Sequence, residues 1–162
     1  MSSQPESARR LDRVIGETEP LLRVIPARVT TDRASPNAWS ICELLGHLID
    51  SASNNHQRFV RAIWQDDLVF IGYDQDHWVT AQQYQASDWQ ELITLWASLN
   101  RHLVRVMACV PEPVRTRVHQ RHNLDAVAFR APKSVDEATL AYFMTDYVDH
   151  LEHHLRQVFA RT

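Results

Sequence analysis

A chain of 162 residues has room for one ordinary domain. Its 44 % hydrophobic and 23 % charged residues suit a packed globular protein rather than a disordered or fibrous one. Three glycines weigh against a fold of many tight turns or a glycine-rich phosphate loop, and a net charge of −3 weighs against the strongly basic face that a nucleic-acid backbone requires.

The opening MSSQPESARR holds no apolar run that would make a secretory leader. No stretch reaches the roughly 18 apolar residues of a membrane span, so the expectation is a cytoplasmic protein with neither a membrane nor a nucleic-acid partner. The first helix is predicted over residues 7–25, where Leu11, Val14, Ile15, Leu21, Leu22 and Ile25 recur at three- and four-residue steps. Pro20 inside it predicts a kink or an early stop. Residues 27–38 are polar and read as a connection.

The second helix has the clearest start. Ser40 and Glu43 have capping-box spacing, with Trp39 ahead of the cap to pack on Leu44 as a staple. An apolar stripe then runs from Ile41 through Leu44, Leu48, Ala52 and Phe59 to Trp64. Residues 65–87 are irregular, too long for a plain bundle turn, and are expected to cross the bundle and cover one end of it. The third helix is predicted from Asp88 to Val110, stopped by Pro111 and Pro113. A second long connection, 111–134, includes a weak cluster of arginines that reads as a solvated loop. The fourth helix is predicted from Ser134, whose partner Glu137 repeats the capping-box spacing, to about Ala160. Four such helices can bury a continuous core, which gives an all-α four-helix bundle as a single domain over residues 1–162. Cys42 and Cys109 fall in apolar helical runs and are expected as buried free thiols.

The densest chemistry lies in YVDHLEHHLRQ, residues 147–157. His150 and His154 are four apart, one helical turn on the same side, a way to present two imidazoles to one ion. His150 with His153 is the competing pair, and on this spacing His153 projects further toward solvent with Glu152 and Arg156. In the second helix His47 stands beside Gly46, which costs about 1 kcal/mol of helix stability against alanine and so marks a close approach or a ligand. A buried imidazole recovers its lost hydration by coordination or by a hydrogen bond inside the core, and the spacing leaves both open. Asp50, His77, Asp146 and Tyr147 are candidates to orient a ligand histidine or a water at the ion. Phe70, Trp78 and Tyr84 are candidates to wall a small-molecule site, or simply to pin the crossover to the bundle.

Two segments carry a recognisable pattern: WSICELLGHLIDSASNNHQRF, residues 39–59, and DYVDHLEHHLRQV, residues 146–158. Their Trp, Ser, Glu and His-Leu-x-Asp, followed by His-x-x-His-His-x-x-Gln, resemble the DinB and DinB-like superfamily of metal-dependent four-helix proteins. The resemblance implies an up-down-down-up bundle with the long crossover between its second and third helices. It puts the family's three metal ligands on His47, His150 and His154, with Zn²⁺ first and Ni²⁺, Fe²⁺, Mn²⁺ or Co²⁺ as other fits. It further implies a homodimer and a metal-dependent transferase or hydrolase acting on a small molecule, with a low-molecular-weight thiol as one co-reactant. A non-catalytic metal-binding or interaction bundle is the alternative. No nucleotide-binding glycine motif and no serine or cysteine triad is legible in the chain.

Overall fold

The computed structural model describes residues 4–162; residues 1–3 of the segment scanned above for a leader lie outside the described residues. Helix α1 (Glu6–Arg23) buries Leu11, Ile15 and Leu22. It runs through Pro20 without stopping, because Gly16 and Pro20 lie on the exposed face, where a carbonyl left without a donor faces water. A short turn of helix, α2 (Ala27–Thr30), interrupts the polar connection that follows.

Helix α3 (Ile41–Ala62) starts at the expected capping box. Ser40 Oγ accepts the Glu43 amide at 3.2 Å while the Ser40 amide donates to the Glu43 carboxylate at 2.8 Å. The crossover holds α4 (Gln75–Gln82) and a single 3₁₀ turn, Tyr84–Ala86. Between them Gln83 adopts a left-handed φ of 52°, which reverses the chain so that residues 82 and 84 both reach α3. Helix α5 (Trp89–Cys109) starts on Asp88, whose carboxylate accepts the Glu91 amide, and ends before Pro111. Two short helices follow, α6 (Glu112–Thr116) and α7 (Leu124–Val127), and after α7 the chain turns extended at Ala128.

The last long helix, α8 (Leu140–Phe159), is capped at Thr139, later than the Ser134–Glu137 spacing predicts. Ser134 precedes only a 3₁₀ turn and makes no side-chain cap. The capping oxygen is Thr139 Oγ1, which accepts the Tyr142 amide at 3.0 Å. The cysteines are corrected as well: Cys42 is buried and donates toward Thr30 Oγ1, but Cys109, the last residue of α5, is exposed.

Around the bundle α1 touches α5 and α8, and α3 touches the same two, so the first and second long helices lie across the diagonal. Pairings along the seams give the directions. Arg23 meets Gln90 and Glu19 meets Arg101, so α1 and α5 are antiparallel. His47 meets His150 and Phe59 meets Phe143, so α3 and α8 are antiparallel. Tyr84, just ahead of α5, meets Asp50, and His102 meets His56 further along, so α3 and α5 are parallel and the bundle is up-down-down-up with the crossover joining them. Leu45, Leu48, Phe59, Ile93, Trp96, Leu103, Phe143 and Leu151 are fully or almost fully buried between the helices, each worth about 1.5–3 kcal/mol against exposure.

The two long connections are tied to each other and not merely laid on the bundle. The Asn123 side chain donates to the Phe70 carbonyl and accepts its amide, and Leu68 exchanges backbone bonds with Arg121 and Asn123. Among the described residues only isolated bridges of this kind occur, never a sheet, and no helix is long and apolar enough to cross a membrane.

Candidate metal centre

The antiparallel packing of α3 on α8 brings together His47, from the second turn of α3, and His150 and His154, from successive turns of α8. One ring nitrogen from each falls within 4.8 Å of the others. The Nε2 atoms of His47 and His150 are 3.1 Å apart. Two nitrogens sharing one ion at bond lengths of about 2.0–2.1 Å stand roughly 2.8–3.4 Å apart at right-angled to tetrahedral geometry, so this spacing fits coordination as well as a hydrogen bond.

The far sides of two rings are fixed. His150 Nδ1 lies 3.3 Å from Ser51 Oγ and His154 Nδ1 lies 2.9 Å from Gln157 Oε1. As donors, these Nδ1–H groups leave the Nε2 lone pairs facing inward, the usual arrangement for a ligand histidine. His47 is fully buried, and its Nδ1 has no partner among the described residues. An unsatisfied buried nitrogen costs about 1–3 kcal/mol, and nothing in the core bonds to it. Among the described residues, the one hydrogen-bonding contact of the His47 ring is to His150. The donor set fits a divalent ion: three imidazoles without a carboxylate, leaving positions for water or a small ligand.

Burial keeps all three rings neutral. It holds His47 down to about 3, with help from His154, and His150 down to about 2, with help from His154 and His47. His154 is lowered for the same reason, against the bond to Gln157. Neutral imidazoles need lose no proton to coordinate.

Trp39 packs tilted against the His47 ring, centroids 4.8 Å apart, and its centroid lies 6.5 Å from that of His154, closing one side of the cluster. Its place in the motif is thus explained by the site. The neighbouring Gly46 is explained too. A Cβ there would lie 2.1 Å from a Tyr84 ring carbon, so the missing side chain makes room for the crossover.

The other candidates separate. Asp50 accepts from Tyr84 Oη at 2.6 Å and from Gln82 Nε2 at 2.5 Å, and hydrogen-bonds to none of the three histidines. Burial pushes its carboxyl up, and its second oxygen is unpartnered. Asp146 takes the amides of Phe129 and Arg130 at 2.7 and 2.8 Å and so fastens the loop after α7. Tyr147 turns its hydroxyl into the core, onto Asn100 Oδ1 at 2.5 Å. His77 is exposed in the first turn of α4, with its amide on the Asp74 cap. Phe70 stacks on Phe143 of α8 and so pins the crossover to the bundle, while Trp78 packs tilted on Tyr73 within the crossover itself.

His153 is the reverse case. The loop holding Phe129 folds over it at 5.2 Å, and Gln157 bridges it to His154, so it faces the cavity instead of open solvent. That cavity, about 290 Å³, opens on His150 and His154 and is bounded by Arg58, Asn55, Tyr73 and Phe129. Ser51, Asn55 and Arg58 carried no isolated signal in the sequence. Their only mark is position, on the same face of α3 at four- and seven-residue steps past His47 and Ser51.

The model of the DinB superfamily matches residues 10–158. A search of curated proteins finds no match. Among solved structures, the chain is similar to YfiT from Bacillus subtilis, described as a probable metal-dependent hydrolase with an unusual four-helix bundle topology. That similarity has a TM-score of 0.74 at 17 % identity and covers 96 % of this chain and 83 % of that one.

Proposed function

Because the chain belongs to the DinB superfamily, we propose that it holds one divalent ion, Zn²⁺ first among the candidates, on His47, His150 and His154, and uses it for hydrolysis or group transfer on a small molecule. The observation that carries the reading is the convergence of three neutral imidazoles from two helices on one point at the mouth of a cavity. When bound, such an ion supplies Lewis acidity, lowering the pKa of a coordinated water or thiol or polarising a carbonyl.

The protein's own groups do the rest. Ser51 and Gln157 fix the ring orientations of His150 and His154. Trp39 and the covered His47 exclude water from the inner side. The cavity admits a small organic molecule from the side of His153 and Phe129. A low-molecular-weight thiol as co-reactant and a cytoplasmic homodimer belong to the same reading, the latter read by sedimentation.

Metal content decides it. Untagged protein is expected to carry about one ion per chain by elemental analysis, and the His150→Ala, His154→Ala double variant none. Loaded protein is then assayed on small esters and amides, with and without thiols. An untagged chain that stays empty when supplied with Zn²⁺ or Ni²⁺ leaves an interaction bundle as the account. A loaded chain inert in every assay leaves a non-catalytic metal protein.

A further inference from the structure

Arg58 is 6 % exposed, yet no carboxylate among the described residues pairs with it. Its Nη2 donates to the Ile71 carbonyl at 2.9 Å, and the guanidinium lies about 6 Å from the centres of the Tyr73 and Phe143 rings. The contrast with Arg10 is plain: that side chain, more exposed, is gripped by Asp149 at 2.7 Å and by both oxygens of Glu152. A buried cation without a counter-ion is costly, and the guanidinium keeps its charge. One turn earlier Asn55 spends its amide nitrogen on the Ser51 carbonyl, while its buried Oδ1 has no donor among the described residues.

Both side chains line the cavity that opens on His150 and His154. At one end are the imidazoles. At the other are an unpaired cation and an unpaired acceptor. Two turns of α3, about 10 Å of axis, separate Ser51, which touches His150, from Arg58, and both residues line the same cavity.

We propose that Arg58 and Asn55 form a recognition subsite for the carboxylate of a small substrate whose reacting group lies a few bonds away at the histidine cluster. The free edge of the guanidinium takes the carboxylate. An N–H or O–H beside that carboxylate donates to Asn55 Oδ1. An N-acylamino acid has this layout, with the acyl carbonyl at the metal end. The subsite deepens the metal-centre reading and rests on it for the position of the reacting group.

The test is calorimetric titration of zinc-supplied and metal-free protein with N-acetylglycine and with its neutral counterpart, N-acetylglycinamide. N-acetylglycine is expected to bind wild type about tenfold or more tighter. Arg58→Met should bring the two within about threefold of each other, and Arg58→Lys should keep part of the preference, all at unchanged zinc content. Equal affinities in wild type, absence of binding, or a preference that survives in Arg58→Met overturns the subsite. If the chain takes up no zinc but metal-free protein still discriminates through Arg58, the metal reading fails and the subsite stands.

Discussion

At the scale of single residues, Gly46 shows how a cost visible in the sequence finds its reason in a contact that is not. Alanine at an exposed helix position would gain about 1 kcal/mol over glycine. Here its methyl would meet the Tyr84 ring at 2.1 Å and force it from Asp50, whose Oδ1 it bonds at 2.6 Å. Overpacking of this kind costs about 1–3 kcal/mol, and a lost buried hydrogen bond adds to it. Gly46→Ala is therefore expected to lower stability in urea unfolding by about 2 kcal/mol net, with Tyr84→Phe showing a smaller loss. A Gly46→Ala protein as stable as wild type would mean that the ring shifts freely. The glycine was legible as an anomaly because helix propensity is local. Tyr84 was not legible as its partner, since it lies 38 positions on in a crossover without periodicity. The place of His153 at the cavity mouth was hidden for a related reason. Its neighbours Glu152 and Arg156 mark a polar face, and only the loop around Phe129 turns part of that face inward.

At the scale of elements, two capping boxes of identical spacing had different outcomes. Ser40 with Glu43 forms the box because an apolar stripe follows at once and Ile41, Cys42, Leu44 and Leu45 are all buried. Ser134 with Glu137 does not. The segment after it is engaged elsewhere: the Ala138 carbonyl accepts the His119 amide at 2.8 Å, and Thr139 forms an isolated bridge with Val118. Glu137 instead accepts the Lys133 amide. Tertiary pairing overrides the local pattern and delays the helix to Thr139. Replacing the true cap should cost what a cap is worth, so Thr139→Ala is expected to lose about 1 kcal/mol, and Ser134→Ala to stay within about 0.5 kcal/mol of wild type. Matched thermal melts of the two variants read the difference, and a larger loss at Ser134 would return the helix start to the position the spacing predicts.

At the scale of the molecule, the four long helices were legible because 3.6-residue periodicity reports burial directly, and His47, His150 and His154 because their spacing survives in a motif. The cavity was not, for it is made where α3, α8 and two long connections meet, and no single segment contains it. Asp146 is the joint of that assembly. Its carboxylate reaches from α8 to the backbone amides of Phe129 and Arg130, and so holds the Ala126–Phe129 wall against the cavity. A role in orienting the ion needs a side chain directed at the histidines, whereas these two bonds direct it at the loop. Each bond from an amide to a charged acceptor is worth about 1.5–3 kcal/mol, offset here by the burial that pushes the Asp146 carboxyl up. Asp146→Ala is accordingly expected to lose about 2 kcal/mol of stability and to expose residues 128–133 to limited proteolysis, while zinc content holds at the wild-type level. Asp146→Asn, which keeps one oxygen but sets an amide group against a second donor, should fall between the two. A variant that keeps its protease resistance but loses its zinc would assign Asp146 to the ion after all, because a carboxylate that fastens only the wall can loosen the cavity without emptying the histidines.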